Sequence, residues 1–291
     1  MSYELKYYDE SYLEKQFEIG NYHLSNWLGG QQSPISRLRE VYSQEDFDPE
    51  TRFYALHEDT VVGFVPAKIS IDQTEEGLAY LEFPLISPCH EEVGEFLMEF
   101  AFEALRKKGV LKVISRASPR WGKTMDYAKK YHYTNKLLMW KNAQLDIKSY
   151  QGGTGSTAVS DVIESDLDEV KEILMSFRKN SETEAQNQLD LLHRISQRVT
   201  SWKIVRESGN ILGHDHLVQD IRDNRKARMN AIYATNDDVR DSIMNAHVKA
   251  AIENGIQFIS NFFYGPTEKM EDPYRQYGFE ISDLYSFERQ L

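Results

Sequence analysis

The stretch Cys89-His90-Glu91-Glu92-Val93-Gly94 opens a helical segment that runs to Lys107-Lys108-Gly109. Apolar residues in it recur at the three- and four-residue spacings of an amphipathic helix, which predicts one buried face. A similar stretch follows 146 positions later. The residues that match at this spacing are Gly94 and Arg240, Met98 and Met244, Gly109 and Gly255, and Tyr131 and Tyr277. Two copies at so long a period indicate tandem domains rather than a solenoid.

The segments around each helix predict the same succession of elements, β-α-α-β-β-β-α-β-α-β, in both halves. This order is typical of a mixed sheet with helices on its faces. The predicted fold class is therefore α/β (an α+β mixed sheet), with two tandem domains, each a mixed, mostly antiparallel sheet. Residues 149–157, rich in Gly and polar side chains, are predicted to form a linker between domains at 1–148 and 158–291.

Composition narrows the possible partners and location of the protein. A length of 291 residues suits two domains, and 41% hydrophobic with 27% charged residues is ordinary for globular proteins. The net charge of -12 argues against nucleic acid or an anionic membrane as a partner. The sequence contains no apolar run of about 20 residues and no signal-peptide pattern. With Cys89 as its one cysteine, we expect a cytoplasmic protein.

The order of elements, together with the repeated loop and helix, resembles the GNAT superfamily of N-acetyltransferases in its tandem form. Val61-Val62-Gly63 and Ile211-Leu212-Gly213 are similar to that family's third strand. Tyr274-Arg275-Gln276-Tyr277-Gly278-Phe279 is similar to its Tyr-x-x-x-Gly-Phe close. The resemblance implies an acyl-CoA donor whose pantetheine runs along a splayed fourth strand. Its pyrophosphate would lie at the start of the repeated helix, where free amides and the helix dipole favour negative charge.

The sequence departs from the family at this loop, whose usual form is (Arg or Gln)-x-x-Gly-x-(Gly or Ala). The corresponding residues are Cys89, Glu92 and Gly94 in the first copy and Thr235, Asp238 and Arg240 in the second. A carboxylate about 4 Å from a phosphate costs on the order of 1–4 kcal/mol. We therefore expect both donor sites to be weakened unless the acidic side chains turn away.

The second half is the preferred place for the chemistry on sequence grounds. Arg240 offers a cation to phosphate, and the resemblance gives Tyr274 the role of general acid toward the departing CoA thiolate. The first half, with Ala128 in that position, is then a structural or recognition domain. The predicted cofactor-binding residues are Thr235, Asn236, Val239, Arg240, Asp241 and Ser242 in the second copy and Val93, Gly94 and Glu95 in the first.

An amine acceptor must lose a proton before or during attack, so a base is expected near the acyl carbon. Glu82, in the fourth strand of the first copy, is the candidate base, although a solvated edge carboxylate is the preferred interpretation of this residue. His214 and His216 share a strand face at a spacing that could bind a metal. The sequence offers no third ligand, so no metal site is predicted and a pair of surface or cleft histidines is preferred.

These features predict an acyl-CoA-dependent N-acyltransferase. It would transfer an acetyl group from acetyl-CoA to a small-molecule or peptide amine by direct attack, without a covalent enzyme intermediate. The alternative is a catalytically inactive GNAT-like protein that binds a ligand or partner and retains degenerate CoA loops.

Overall fold

The computed structural model describes residues 2–71 and 77–291. The chain forms two compact units, Met1–Met139 with Asp283–Leu291, and Trp140–Ser282. Each unit is a mixed sheet with helices, which confirms the predicted fold class and the repeated order of elements. In the described ranges no helix is both long and apolar enough to span a bilayer. The cytoplasmic location stays a prediction.

The first unit contains the first six strands and four helices. They are β1 (Glu4–Tyr7), α1 (Leu13–Leu24), α2 (Ile35–Tyr42), β2 (Arg52–His57), β3 (Thr60–Ile69), β4 (Leu78–Leu81), β5 (Leu85–Ile86), α3 (Val93–Lys107), β6 (Lys112–Ala117) and α4 (Thr124–Lys130). The strand that follows is β7 (Thr134–Asp146), which begins in the first unit and ends in the second.

The second unit repeats this succession. Its elements are β8 (Ser160–Asp161), α5 (Leu167–Arg178), α6 (Glu182–Arg194), β9 (Val199–Glu207), β10 (Asn210–Gln219), β11 (Lys226–Met229), β12 (Tyr233–Ala234), α7 (Asp237–Glu253), β13 (Phe258–Phe263) and α8 (Glu271–Gln276). The last strand is β14 (Glu280–Gln290), which begins in the second unit and ends in the first. The helices α3 and α7, which contain the repeated sequence, both end before a glycine with positive φ. These are Gly109 at 81° and Gly255 at 69°, the backbone region where glycine avoids a Cβ clash.

The two sheets have matching strand orders. The first runs β1-β2-β3-β4-β6 and continues with residues 285–290 of β14, which pair antiparallel with β6. The second runs β8-β9-β10-β11-β13 and continues with residues 141–146 of β7, which pair antiparallel with β13. Each sheet has one parallel pair, β4 with β6 and β11 with β13.

The compact units divide the chain at other places than the predicted 1–148, 149–157 and 158–291. The strand beside β6 comes from the end of the chain, and the strand beside β13 comes from residues before the predicted linker. Pairing over such sequence separations leaves no local pattern from which a boundary can be read.

The core of each unit lies between its sheet and its repeated helix. In the first unit α3 buries Val93, Leu97 and Ala101 against the sheet. In the second, α7 buries Val239, Ile243 and other residues in the corresponding way. Both helices are therefore fixed by apolar packing along one face. Their N-terminal ends follow the short strands β5 and β12.

Candidate active site

The fourth strand of each unit is split, as the resemblance implies. In the first unit β4 pairs with both β3 and β6, whereas β5 pairs only with β3. In the second unit β11 pairs with β10 and β13, whereas β12 pairs only with β10. The sheet therefore opens beside β5 and beside β12, in each case just before the start of the repeated helix.

The opening in the first unit holds a cavity of about 290 Å³. Four segments line it: the end of α1, residues 84–86, the loop before α3, and the start of α4. Its walls are mainly apolar and aromatic, and a few polar side chains reach it, among them His23, Glu91, Lys123 and Tyr127. Apolar walls with a few placed polar groups are typical of a small-molecule site, and the volume falls at the lower end of the usual range.

One of the two acids at the start of α3 is turned to another partner. The Glu92 carboxylate accepts a hydrogen bond from the Tyr3 hydroxyl, and this bond lowers the pKa of Glu92. Glu91, in contrast, lines the cavity. The first copy therefore keeps one carboxylate near the proposed anion position and has redirected the other.

The three residues predicted to bind the cofactor at α3 have different surroundings. Val93 is fully buried in the core, and the Glu95 carboxylate pairs with Lys130 at 3.0 Å on the surface. Gly94 is buried against Ile86, whose Cδ1 would lie 2.6 Å from an added Cβ. Gly94 therefore packs against Ile86, a residue of the cavity wall.

Glu82, the predicted base, lies between β4 and β5 in an ion pair with Arg116 of β6. Its side chain is 36% exposed, and it is not among the residues that line the cavity. The structure therefore places Glu82 at the opening of the sheet but outside the cavity.

Tyr127 of α4 lines the cavity, and no motif or spacing in the sequence pointed to it. The repeat aligns Ala128, not Tyr127, with Tyr274, so the tyrosine is displaced by one position. Burial raises the pKa of the Tyr127 hydroxyl, with a smaller contribution from Glu91 and Asp126. This hydroxyl therefore stays protonated at neutral pH and can donate a proton.

The start of α7 in the second unit is closed by contacts within its own first turns. The Asn236 side chain caps the helix by accepting from the Val239 amide at 2.9 Å. Arg240, the predicted phosphate ligand, is ion-paired with Asp237, and its side chain is only 14% exposed. The Thr235 amide donates to the Leu212 carbonyl at 2.9 Å. Arg240 is nevertheless not fully satisfied, because its buried Nε has no hydrogen-bond partner among the described residues.

The predicted linker packs along the same end of α7. The Asp238 carboxylate accepts from the Ser156 amide at 3.1 Å, and Asp241 accepts from the Thr154 amide at 2.9 Å. Ser242 Oγ accepts from the Thr157 amide at 3.0 Å. We call residues 153–157 the linker strap. Its acidic partners are Asp238 and Asp241. Asp238 occupies the position where the related family has a glycine whose backbone binds phosphate.

The strap approaches α7 closely at Gly155. A Cβ at this position would lie 2.3 Å from the Ser242 backbone nitrogen and 2.5 Å from the Asp238 carbonyl oxygen. Only glycine permits so close an approach of two backbones. The hydrogen bonds from the Thr157 hydroxyl and the Ser156 amide lower the pKa of Asp238, so this carboxylate is charged when it holds the strap.

Tyr274, the predicted general acid, is fully buried. Its hydroxyl accepts a hydrogen bond from the Ile232 amide at 2.6 Å, and burial raises its pKa. The cavity between α5 and the opening beside β12 measures about 10 Å³ and is not lined by Tyr274. Such a volume has room for about one water molecule.

His214 and His216 are buried rather than placed at a surface. His214 Nε2 accepts from the Trp202 indole at 2.8 Å, and His216 Nε2 lies 3.0 Å from the Asn230 amide nitrogen. Burial lowers the pKa of His214 to about 3 and that of His216 to about 4. The structure shows no group of three metal-ligating side chains within residues 2–71 and 77–291.

A third histidine joins these two, and sequence reasoning did not identify it. His247 of α7 is fully buried, with Nδ1 2.8 Å from Ser201 Oγ and Nε2 3.5 Å from Asp215. Burial acts to raise the pKa of Asp215, but the neighbouring His247 and Arg178 outweigh it, and the pKa is lowered. His214, Asp215 and His216 line the cavity of about 10 Å³, but Ser201 does not. The cluster is a buried polar network.

No protein-family model matches the sequence, and no curated protein matches it. Solved structures match it in fold. A tandem GNAT protein from the clavulanic acid biosynthesis pathway is 12% identical over 99% of this chain and 98% of that chain, with a TM-score of 0.62.

Two further structures cover nearly the whole chain. A GNAT-family acetyltransferase from Colwellia psychrerythraea is 11% identical over 99% of this chain and 100% of that chain, with a TM-score of 0.59. A GCN5-related N-acetyltransferase from Sphaerobacter thermophilus is 8% identical over 99% and 95%, with a TM-score of 0.57. The chain therefore has the fold of GNAT acetyltransferases in its tandem form, which confirms the resemblance seen in the sequence.

Proposed function

We propose that the protein is an acyl-CoA-dependent N-acyltransferase that transfers an acetyl group from acetyl-CoA to the amine of a small molecule or peptide. We also propose that the donor binds in the first unit, although sequence features favoured the second. The observation that carries this choice is the contrast between cavities of about 290 Å³ beside β5 and about 10 Å³ near β12.

The residues of the first cavity fit such a donor. Among the described residues β5 has a partner strand on one side only, so its other edge can hydrogen-bond the amides of an extended chain such as pantetheine. Lys123, exposed at the start of α4, lines the same cavity and offers a cation to phosphate. Glu91 opposes this by like-charge repulsion, which is consistent with modest affinity.

Tyr127 is the proposed proton donor to the leaving group. The neutral amine attacks the thioester carbonyl, the new C–N bond forms, and the C–S bond breaks. The departing thiolate takes the phenolic proton of Tyr127, and the proton left on the new amide nitrogen returns to the phenolate. The Tyr127 phenol is protonated at working pH, as a general acid must be.

Calorimetric titration with acetyl-CoA tests the donor site. We expect a Kd below about 100 μM, or about −5.5 kcal/mol. Lys123→Glu should weaken binding at least about tenfold, because it replaces an attractive contact with a repulsive one. The matched control is Lys129→Glu, a charge reversal on the same helix outside the cavity, which should leave the affinity unchanged.

Two outcomes would contradict the proposal. The absence of binding at millimolar acetyl-CoA would reject the function itself. Binding that survives Lys123→Glu but is lost on Arg240→Glu would place the donor in the second unit.

A further inference from the structure

The ring of His23 is fixed in one tautomer at the wall of the first cavity. His23 lies in the last turn of α1 and lines the cavity. Its Nε2 is 2.7 Å from the carbonyl oxygen of Ile86 in β5. A carbonyl oxygen can only accept a hydrogen bond, so Nε2 carries the hydrogen. The lone pair of the neutral ring is therefore on Nδ1.

This nitrogen has no hydrogen-bond partner in the part of the chain that the structure describes. The ring is held by the Ile86 carbonyl and by an edge contact with Tyr22, whose ring centroid is 5.1 Å away. A ring that is held in place with a bare Nδ1 is prepared to accept a proton and needs no rearrangement first.

The other titratable side chains that line the cavity are Tyr22, Glu91, Lys123 and Tyr127. Tyr127 is kept protonated by its raised pKa, and lysine is a cation with no acceptor. Glu91 lies in the loop before α3, where the phosphates of the donor are proposed to bind. His23, in contrast, contacts β5, the strand along which pantetheine is proposed to run.

We propose that His23 is the general base for the acceptor amine, a role that rests on the donor site proposed above. The ammonium form of the acceptor loses one proton to Nδ1, which gives an imidazolium and a neutral amine. The imidazolium keeps its Nε2–H bond to Ile86, and that bond strengthens because its donor is now charged. After acyl transfer, the imidazolium releases this proton to solvent.

The test uses the full chain, acetyl-CoA and phenethylamine, a primary amine whose ring suits the aromatic walls. Release of CoA thiol is measured from pH 6 to 9 for the unchanged protein and for His23→Gln. Glutamine retains an N–H for the Ile86 carbonyl but cannot take the proton. We expect kcat/KM to fall about 10²-fold or more, and the part of its pH dependence that comes from protonation of the base to disappear. The Kd for acetyl-CoA should stay within about twofold.

The outcomes separate this inference from the proposed function. If acetyl-CoA does not bind the unchanged protein, the proposed function fails and this role fails with it. If acetyl-CoA binds and His23→Gln keeps both the rate and its pH dependence, His23 is not the base although the donor site stands. If bound acetyl-CoA transfers nothing to phenethylamine, the proposed role is likewise rejected. Nitrogen NMR of the histidine rings adds a test independent of activity, because a hydrogen on Nδ1 of His23 would contradict the assignment.

Discussion

The helices α3 and α7 begin with acids at matching positions, yet the surroundings of the two helix starts differ. At α3 the Glu92 carboxylate turns to Tyr3, and a cavity remains open beside it. At α7 Asp238 and Asp241 accept hydrogen bonds from the linker strap, which covers that end of the helix. The same acidic loop therefore accompanies an open site in one unit and a closed one in the other.

A carboxylate at the start of a helix therefore does more than repel a phosphate. An acid in the first turn stabilises the helix by about 0.3–1 kcal/mol. It also accepts from any nearby amide, and at α7 those amides come from the same chain. The acids of the second copy are therefore explained by the strap, whatever they would do to a phosphate.

The largest expected difference between the two units concerns Tyr127 in the first and Tyr274 in the second. Tyr127→Phe should lower turnover about 10²-fold or more, because the leaving thiolate loses its proton donor. Tyr274→Phe should leave turnover unchanged but lower the free energy of unfolding by about 1–3 kcal/mol, since the Ile232 amide loses its acceptor. Steady-state kinetics and denaturant unfolding of both variants check this. A large loss of turnover in Tyr274→Phe alone would return the chemistry to the second unit.

The second expected difference is the response of the second unit to acid. The pKa of His214 is lowered to about 3 and that of His216 to about 4 in the folded state, compared with about 6.5 when unfolded. The unfolded chain therefore binds more protons, so stability is complete above about pH 6.5 and falls as the pH drops toward 4. Each histidine should contribute a slope of up to about 1.4 kcal/mol per pH unit.

Denaturant unfolding from pH 7 to 5 measures this slope. His214→Gln should reduce the slope by up to about 1.4 kcal/mol per pH unit, because glutamine does not titrate. Glutamine can still accept a hydrogen bond from the Trp202 indole, so the fold is retained. His132→Asn is the control, an exposed histidine in the first unit with φ 57°, a backbone conformation that asparagine tolerates. An unchanged slope in His214→Gln would show that this ring is not buried in its neutral form.

The smallest expected effect concerns the strap. Gly155→Val should lower the free energy of unfolding by about 1–3 kcal/mol, because its Cβ would overlap the α7 backbone. It should also make residues 149–157 more sensitive to limited proteolysis. The control is Gln151→Ala, an exposed position before the strap, which should change neither property.

The Gly155→Val variant also tests whether the strap covers a donor site at the start of α7. If Gly155→Val also gains a second acetyl-CoA site by calorimetry, the strap covers a functional donor site. If one site or none is measured, the contacts at Asn236 and Arg240 keep α7 closed without the strap.

The amino-acid sequence by itself determined the succession of elements, the two repeated helices and the tandem GNAT-like fold. These features depend on local periodicity and on glycines such as Gly109 and Gly255, so they are visible within short windows of sequence. The split fourth strand also followed, through the family resemblance. Arg240 and Tyr274, however, gained their predicted roles from alignment alone, which does not show that Arg240 pairs with Asp237 or that Tyr274 is fully buried.

Only the tertiary structure decided where the cavity beside β5 lies, how the linker packs, and which side chains face each site. Glu92 meets a tyrosine 89 positions earlier, and Asp238 meets Thr157, 81 positions earlier. Such contacts depend on how distant segments pack. Similarly, the repeat aligns Ala128 with Tyr274, but it is the preceding residue, Tyr127, that lines the cavity. A local pattern specifies an element, but the partner of each polar side chain is set by long-range packing.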